Sequence, residues 1–220
     1  MFTAMLRAQW FWSRAILSFF LAAAFALPLG AVVVTATFGS EFFYAPSMYL
    51  DVGETVGSVT AILFCAAGIA IALQDWSADD RGRHIYALSL PIDRRRYLAN
   101  RAGGALFLLA LVAIALAAGG AVATMLIELP DSLGTYPVSL AARALLSAWL
   151  AYALAFAVRF GAGRRAGIAF LSLLALIVAL GLLPVFAPGS REWLRDAVRG
   201  VTSHPGPLGI LFGRWSFIDV

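Results

Sequence analysis

Apolar residues in this chain come in long unbroken blocks separated by short polar segments. Five blocks, residues 15–38, 55–74, 102–127, 138–158 and 166–186, have about the 20 residues a helix needs to cross a hydrocarbon layer. They predict five membrane-spanning helices. The first block follows Arg7 and Arg14 and has the look of a secretory signal. It is longer than the roughly 7–15 apolar residues of a signal core, so an uncleaved span is expected. Residues 1–14 are also expected to be helical. Thr3, Arg7 and Arg14 share a polar side, and Phe2, Met5, Leu6, Phe11 and Trp12 supply apolar bulk. Two forms fit that pattern: a simple flanking anchor, or an in-plane helix that turns into the first span. Trp10 and Trp12 suit the headgroup level in either.

Beyond the last block, Ser190 follows Pro188 and Gly189 as a fair N-cap. Trp193, Leu194, Ala197, Val198 and Val201 then line one helical face, while Arg191, Arg195 and Arg199 repeat on the other. A surface helix with Trp193 at the headgroups is expected there, ended by Gly200. The apolar piece 208–220 is too short to span and is interrupted by Arg214. The fold class predicted is therefore all-α: a polytopic membrane bundle of about five transmembrane helices with N-terminal and C-terminal interfacial helices. Residues 1–186 would form the transmembrane domain and 187–220 an external tail.

Small residues recur every four positions within the blocks, and such ridges let helix backbones approach closely. The second block offers Gly53, Gly57 and Ala61 as a packing ridge. The first has Ala22, Ala26 and Gly30, the third Ala113, Ala117 and Ala121, and the fourth Ser147, Ala151 and Ala155.

Composition narrows the function. Of the 220 residues, 62% are hydrophobic and 13% charged, against about 45–50% and about 25% in soluble domains. A soluble globular protein, a disordered chain and a nucleic-acid binder are excluded. All 16 basic residues are Arg. Without Lys there is no Walker A phosphate loop, no Schiff-base site and no Ser–Lys dyad. Cys65 stands alone, and His84 and His204 are far apart without cysteine partners, so no disulfide and no metal site are expected. The predicted span cores hold no ionisable group, which disfavours proton-coupled transport and intramembrane proteolysis. No catalytic residue is expected.

The arginines set orientation. Arg7 and Arg14 precede the first span. Arg81, Arg83, Arg94, Arg95, Arg96 and Arg101 lie between spans two and three, and Arg159, Arg164 and Arg165 between spans four and five. The connections on the other side carry Glu41, Asp51, Glu54, Glu128 and Asp131 and no Arg. The positive-inside rule then makes the N-terminus cytoplasmic, in what is expected to be a bacterial inner membrane. Arg143, near the start of span four, is expected to snorkel to the interface. Arg94, Arg95 and Arg96 are expected to anchor the entry to span three at the membrane surface.

The segment 74–101 is the longest connection on the Arg side. Ser77 would cap a short helix with Asp79 and Asp80 in its first turn, Pro91 would break it, and Asp93 would cap the next. Ile85, Tyr86, Leu88 and Leu90 make its middle amphipathic, and an apolar patch in water usually meets a partner. The stretch Asp79-Asp80-Arg-Gly-Arg-His-Ile-Tyr-Ala-Leu-Ser-Leu-Pro-Ile-Asp-Arg-Arg-Arg-Tyr-Leu resembles the first cytoplasmic loop of ABC-2 type permeases. The shared pattern is an acidic start, a glycine, a Leu-Ser-Leu-Pro turn, then a basic cluster with an aromatic entering the next span. The resemblance covers about residues 1–186. It implies that the loop carries a coupling helix docking on a separate ATP-binding cassette subunit. Asp79, Arg81, His84, Ile85, Tyr86 and Leu88 would make that contact. ATP would be held by the partner, with no cofactor on this chain. A homodimer, or a heterodimer with another permease chain, is expected in the bilayer. The family usually has six spans with an external helix before the last. Residues 190–200 match that helix in position, which leaves the sixth span missing or cut to 208–220. The competing expectation is a non-transporting scaffold or assembly subunit of a larger membrane complex.

Overall fold

The computed structural model describes residues 2–38, 46–81, 94–126, 133–161 and 217–219, with the single positions Ile168, Ser172 and Asp196. Four helices dominate: α1 (Phe2–Phe38), α2 (Pro46–Arg81), α3 (Arg94–Leu126) and α4 (Pro137–Gly161). Two short strands, β1 (Gly134–Thr135) and β2 (Ile218–Asp219), pair antiparallel. All four helices are long and apolar enough to cross a membrane, over Phe2–Val33, Val52–Asp75, Arg95–Leu126 and Pro137–Val158. In lipid the backbone has no water to bond to, so apolar runs rich in Ala and Leu satisfy themselves as helices.

The chain divides into two compact units. One comprises Met1–Tyr152 with Trp215–Val220, the other Ala153–Arg214. The first holds α1, α2, α3, most of α4 and the strand pair. Its helices alternate in direction. Gln9 and Phe25 of α1 meet Gly104 and Gly119 of α3, so these two run parallel. Gly57 and Gly68 of α2 meet Arg143 and Ala148 of α4, a second parallel pair. Gln74 donates to the Trp12 carbonyl at 3.1 Å, which sets α2 antiparallel to α1. The unit thus has two ends. The N-terminus of α1 shares one of them with Arg81 and Arg94–Arg96, and β1 and β2 mark the other.

Each helix turns one stripe inward. On α1 it is Gln9, Ser13, Leu17, Phe20, Ala24 and Ala31. On α3 it includes Arg101, Ala105, Leu108, Val112, Leu116 and Ala123. The outward faces carry Phe19, Ile62, Ile114 and Leu150, exposed as side chains facing lipid would be. Two glycines mark the closest backbone approaches between helices. A Cβ on Gly68 would collide with the Ala148 carbonyl, and one on Gly119 with the Phe25 carbonyl.

Several expectations change. No separate in-plane helix precedes the first span, because α1 runs unbroken through Arg14. Its 37 residues extend about 55 Å, well beyond a hydrocarbon core of about 30 Å. Ser77 caps nothing. It lies within α2, which runs to Arg81, and residues 82–93, with the expected break at Pro91 and cap at Asp93, lie outside the described residues. Arg143 does not snorkel: it is 3% exposed, its guanidinium against Gly57. The fifth span over 166–186 and the surface helix over 190–200 lie outside the described residues, apart from Ile168, Ser172 and Asp196. Residues 217–219, the described part of the segment expected as an external tail, pack into the first unit beside β1 at the end away from the Arg-rich one.

Gly68→Val should lower the thermal midpoint in detergent, with a cost of about 1–3 kcal/mol from the forced separation of α2 and α4. Gly30, with nothing within 4 Å of a built Cβ, should accept Ala with no loss. Helix propensity there favours Ala by up to about 1 kcal/mol.

Candidate functional site

The buried stripes do not stop being buried where they stop being apolar. At the Arg-rich end each helix places one polar side chain in the interior: Gln9 from α1, Asp75 from α2, Arg101 from α3 and Tyr152 from α4. Gln9 and Asp75 are 3% exposed, Arg101 4% and Tyr152 2%. Helical spacing delivers them. Asp75 follows Ile71 by one turn, Arg101 precedes Ala105 by one turn, and Gln9 lies two turns before Leu17.

Hydrogen bonds join all four. Gln9 Nε2 donates to Asp75 Oδ2 at 3.2 Å and to the Arg101 carbonyl at 2.9 Å. The Arg101 guanidinium donates to the Asp75 carbonyl through Nη2, and to Tyr97 Oη at 2.7 Å through Nη1. Arg101 also lies over the Tyr97 ring, 5.9 Å from its centre. Tyr152 Oη donates to Asp75 Oδ2 at 3.4 Å. Gly104 makes room for this arrangement, since a Cβ there would strike the Gln9 amide. Gln9 Oε1 finds no hydrogen-bond partner among the described residues.

A buried carboxylate and a buried guanidinium in one cluster compensate each other, whereas either alone is costly in a low-dielectric interior. The cluster therefore fixes the relative positions of four helix ends. Among the described residues no group of three His, Cys, Asp or Glu could hold a metal ion.

A second set of buried polar groups lies between α2 and α4. Ser147 Oγ donates to the Arg143 carbonyl at 3.0 Å, and Cys65 Sγ makes a long contact of 3.8 Å to the Ser147 carbonyl. The Thr60 hydroxyl is fully buried and has no partner among the described residues.

Of the residues singled out from sequence, Asp79 and Arg81 fall in the last turns of α2. His84, Ile85, Tyr86 and Leu88 lie outside the described residues, as does Trp193. Arg94 opens α3, Arg95 and Arg96 are exposed, and so are Trp10 and Trp12. Gly53, Gly57 and Ala61 are all buried, Gly53 against the Ile218 backbone and Gly57 against Arg143. The small residues Ala22, Ala26 and Gly30 of α1 face outward. Sequence reading missed the cluster because the spans were ended at Gln74 and begun at Ala102, one residue short of Asp75 and Arg101. Carrying the inward stripe one turn past the apolar block would have found both.

Comparison with protein-family models, with curated proteins and with solved structures finds no match to this chain.

Asp75→Asn should leave the Arg101 cation uncompensated and cost about 3–5 kcal/mol of stability. Adding Arg101→Gln to it should recover part of that loss, with a coupling of about 0.5–3 kcal/mol in a double-mutant cycle read from thermal unfolding in detergent. Thr60→Val removes a buried hydroxyl that makes no bond, and should raise stability by about 1–3 kcal/mol in the same assay.

Proposed function

We propose that this chain is the membrane-spanning subunit of an ABC-2-like transporter, driven by a separate ATP-binding cassette subunit. The observation that carries this reading is the polar cluster at the root of the 82–93 connection. α2 enters that connection six residues after Asp75, and α3 leaves it seven residues before Arg101. Asp75 and Arg101 are bonded to Gln9 of α1, and Asp75 to Tyr152 of α4. A partner pressing on the connection would therefore move four helix ends together, not one loop. Transport needs such a rigid switch between two global states.

The docking residues in this reading are Asp79, Arg81, His84, Ile85, Tyr86 and Leu88. ATP belongs to the partner, because a chain without Lys has no Walker A loop. The arginine distribution supports a cytoplasmic N-terminus in a bacterial inner membrane. A fifth span over 166–186 is part of the reading. Tyr152 lies at the Arg-rich end with Asp75, and Phe217 at the far end beside Gly120. A dimer, with itself or with a second permease chain, would enlarge a small translocation path.

Affinity purification of the full chain from native membranes tests the proposal. A nucleotide-binding subunit should co-purify, and Ile85→Asp with Tyr86→Ala should release it while the membrane level of the chain is unchanged. Recovery without any nucleotide-binding subunit would sink the transporter reading and favour a scaffold.

A further inference from the structure

At the end opposite the polar cluster, three elements are held by a segment distant in sequence. Phe217 and Ile218 are both fully buried. The Phe217 carbonyl accepts from the Tyr136 N–H at 3.0 Å, and Thr135 and Gly134 pair with Ile218 and Asp219. Two glycines admit the segment. A Cβ on Gly53 of α2 would stand 2.9 Å from the Ile218 carbonyl oxygen. One on Gly120 of α3 would stand 2.7 Å from Pro137 Cβ at the start of α4, and 3.5 Å from the Phe217 ring. Residues 217–219 thus touch α2, α3 and the approach to α4 at once.

We propose that residues 217–219 form a strap closing the far end of the bundle. The helices cannot splay there while the strap is seated, because Ile218 lies on α2 while its neighbours are bonded to the α3–α4 connection. The strap's ladder is two residues long, and the fully buried Phe217 and Ile218 side chains supply the rest of its hold on the bundle. The proposal is independent of the transporter reading, since it concerns one end of the bundle and needs no ATPase.

Cysteine pairs test it in a Cys65→Ala background, in membranes holding the full chain. Thr135→Cys with Ile218→Cys, and Gly134→Cys with Asp219→Cys, should both form disulfides on mild oxidation. Leu140→Cys reports on the far end, where Leu140 is 1% exposed, and Ala105→Cys on the cluster end, where Ala105 is 0% exposed. Removing residues 215–220, or placing Val at Gly53 to push Ile218 away, should raise maleimide labelling at position 140 by about tenfold or more and leave position 105 unchanged. The Thr135–Ile218 disulfide should hold labelling at 140 at its lowest. Failure of both pairs to cross-link overturns the proposal. So does unchanged labelling at 140, or an equal rise at 105, which would mean that the segment supports the whole bundle.

Discussion

An acid and a base withdrawn from water have to find their partners inside the protein, and everything at the Arg-rich end follows from that. Asp75 and Arg101 come from different helices, and neither can be buried until the other is close. Gln9 and Tyr152 use the hydrogen-bonding capacity that remains on Asp75. Apolar packing alone would let α1 to α4 slide, because one lipid-like surface fits another about equally well. Hydrogen bonds with fixed geometry remove that freedom and set helix register at one end.

The helices themselves were legible in the sequence. Long apolar blocks force helical structure in lipid, and four of the five predicted spans overlap helices long enough to cross. Their limits were not legible, because hydropathy reports where lipid ends and not where a helix ends. α2 continues through Asp75, Ser77 and Asp79 to Arg81, residues that read as loop by polarity alone. Arg143 misled for a related reason. A charge near a span terminus is expected to reach for the interface, but Gly57 leaves a recess on α2 that the guanidinium fills. The β1–β2 pair had no signal at all, as two-residue strands carry no periodicity. The candidate site was half visible. The sequence pointed to the connection between α2 and α3, while the buried groups beneath it emerge only when four helices are placed together.

The glycines divide the same way. Gly68, Gly104 and Gly119 sit where another chain segment passes within van der Waals reach, and each is needed for that approach. Gly30 belongs to an equally regular series of small residues, yet it faces open space. Spacing identifies a smooth helix face. Whether anything rests on it depends on the neighbours, which spacing does not encode.

The far-end contact also bears on the order in which the molecule can be made. Synthesis and membrane insertion run from the N-terminus, and domains generally fold as their parts emerge. Gln9 enters the bilayer early, long before Asp75, Arg101 and Tyr152 exist to receive its amide. Thr135 then waits for Ile218, which is synthesised after all of these. Both ends of the bundle therefore stay unfinished during insertion, and the nascent helices must be tolerated singly by lipid or held by an insertase until the last partner arrives. A ribosome stalled shortly before residue 217 would leave a bundle closed at one end only, the form in which a quality-control protease would meet it.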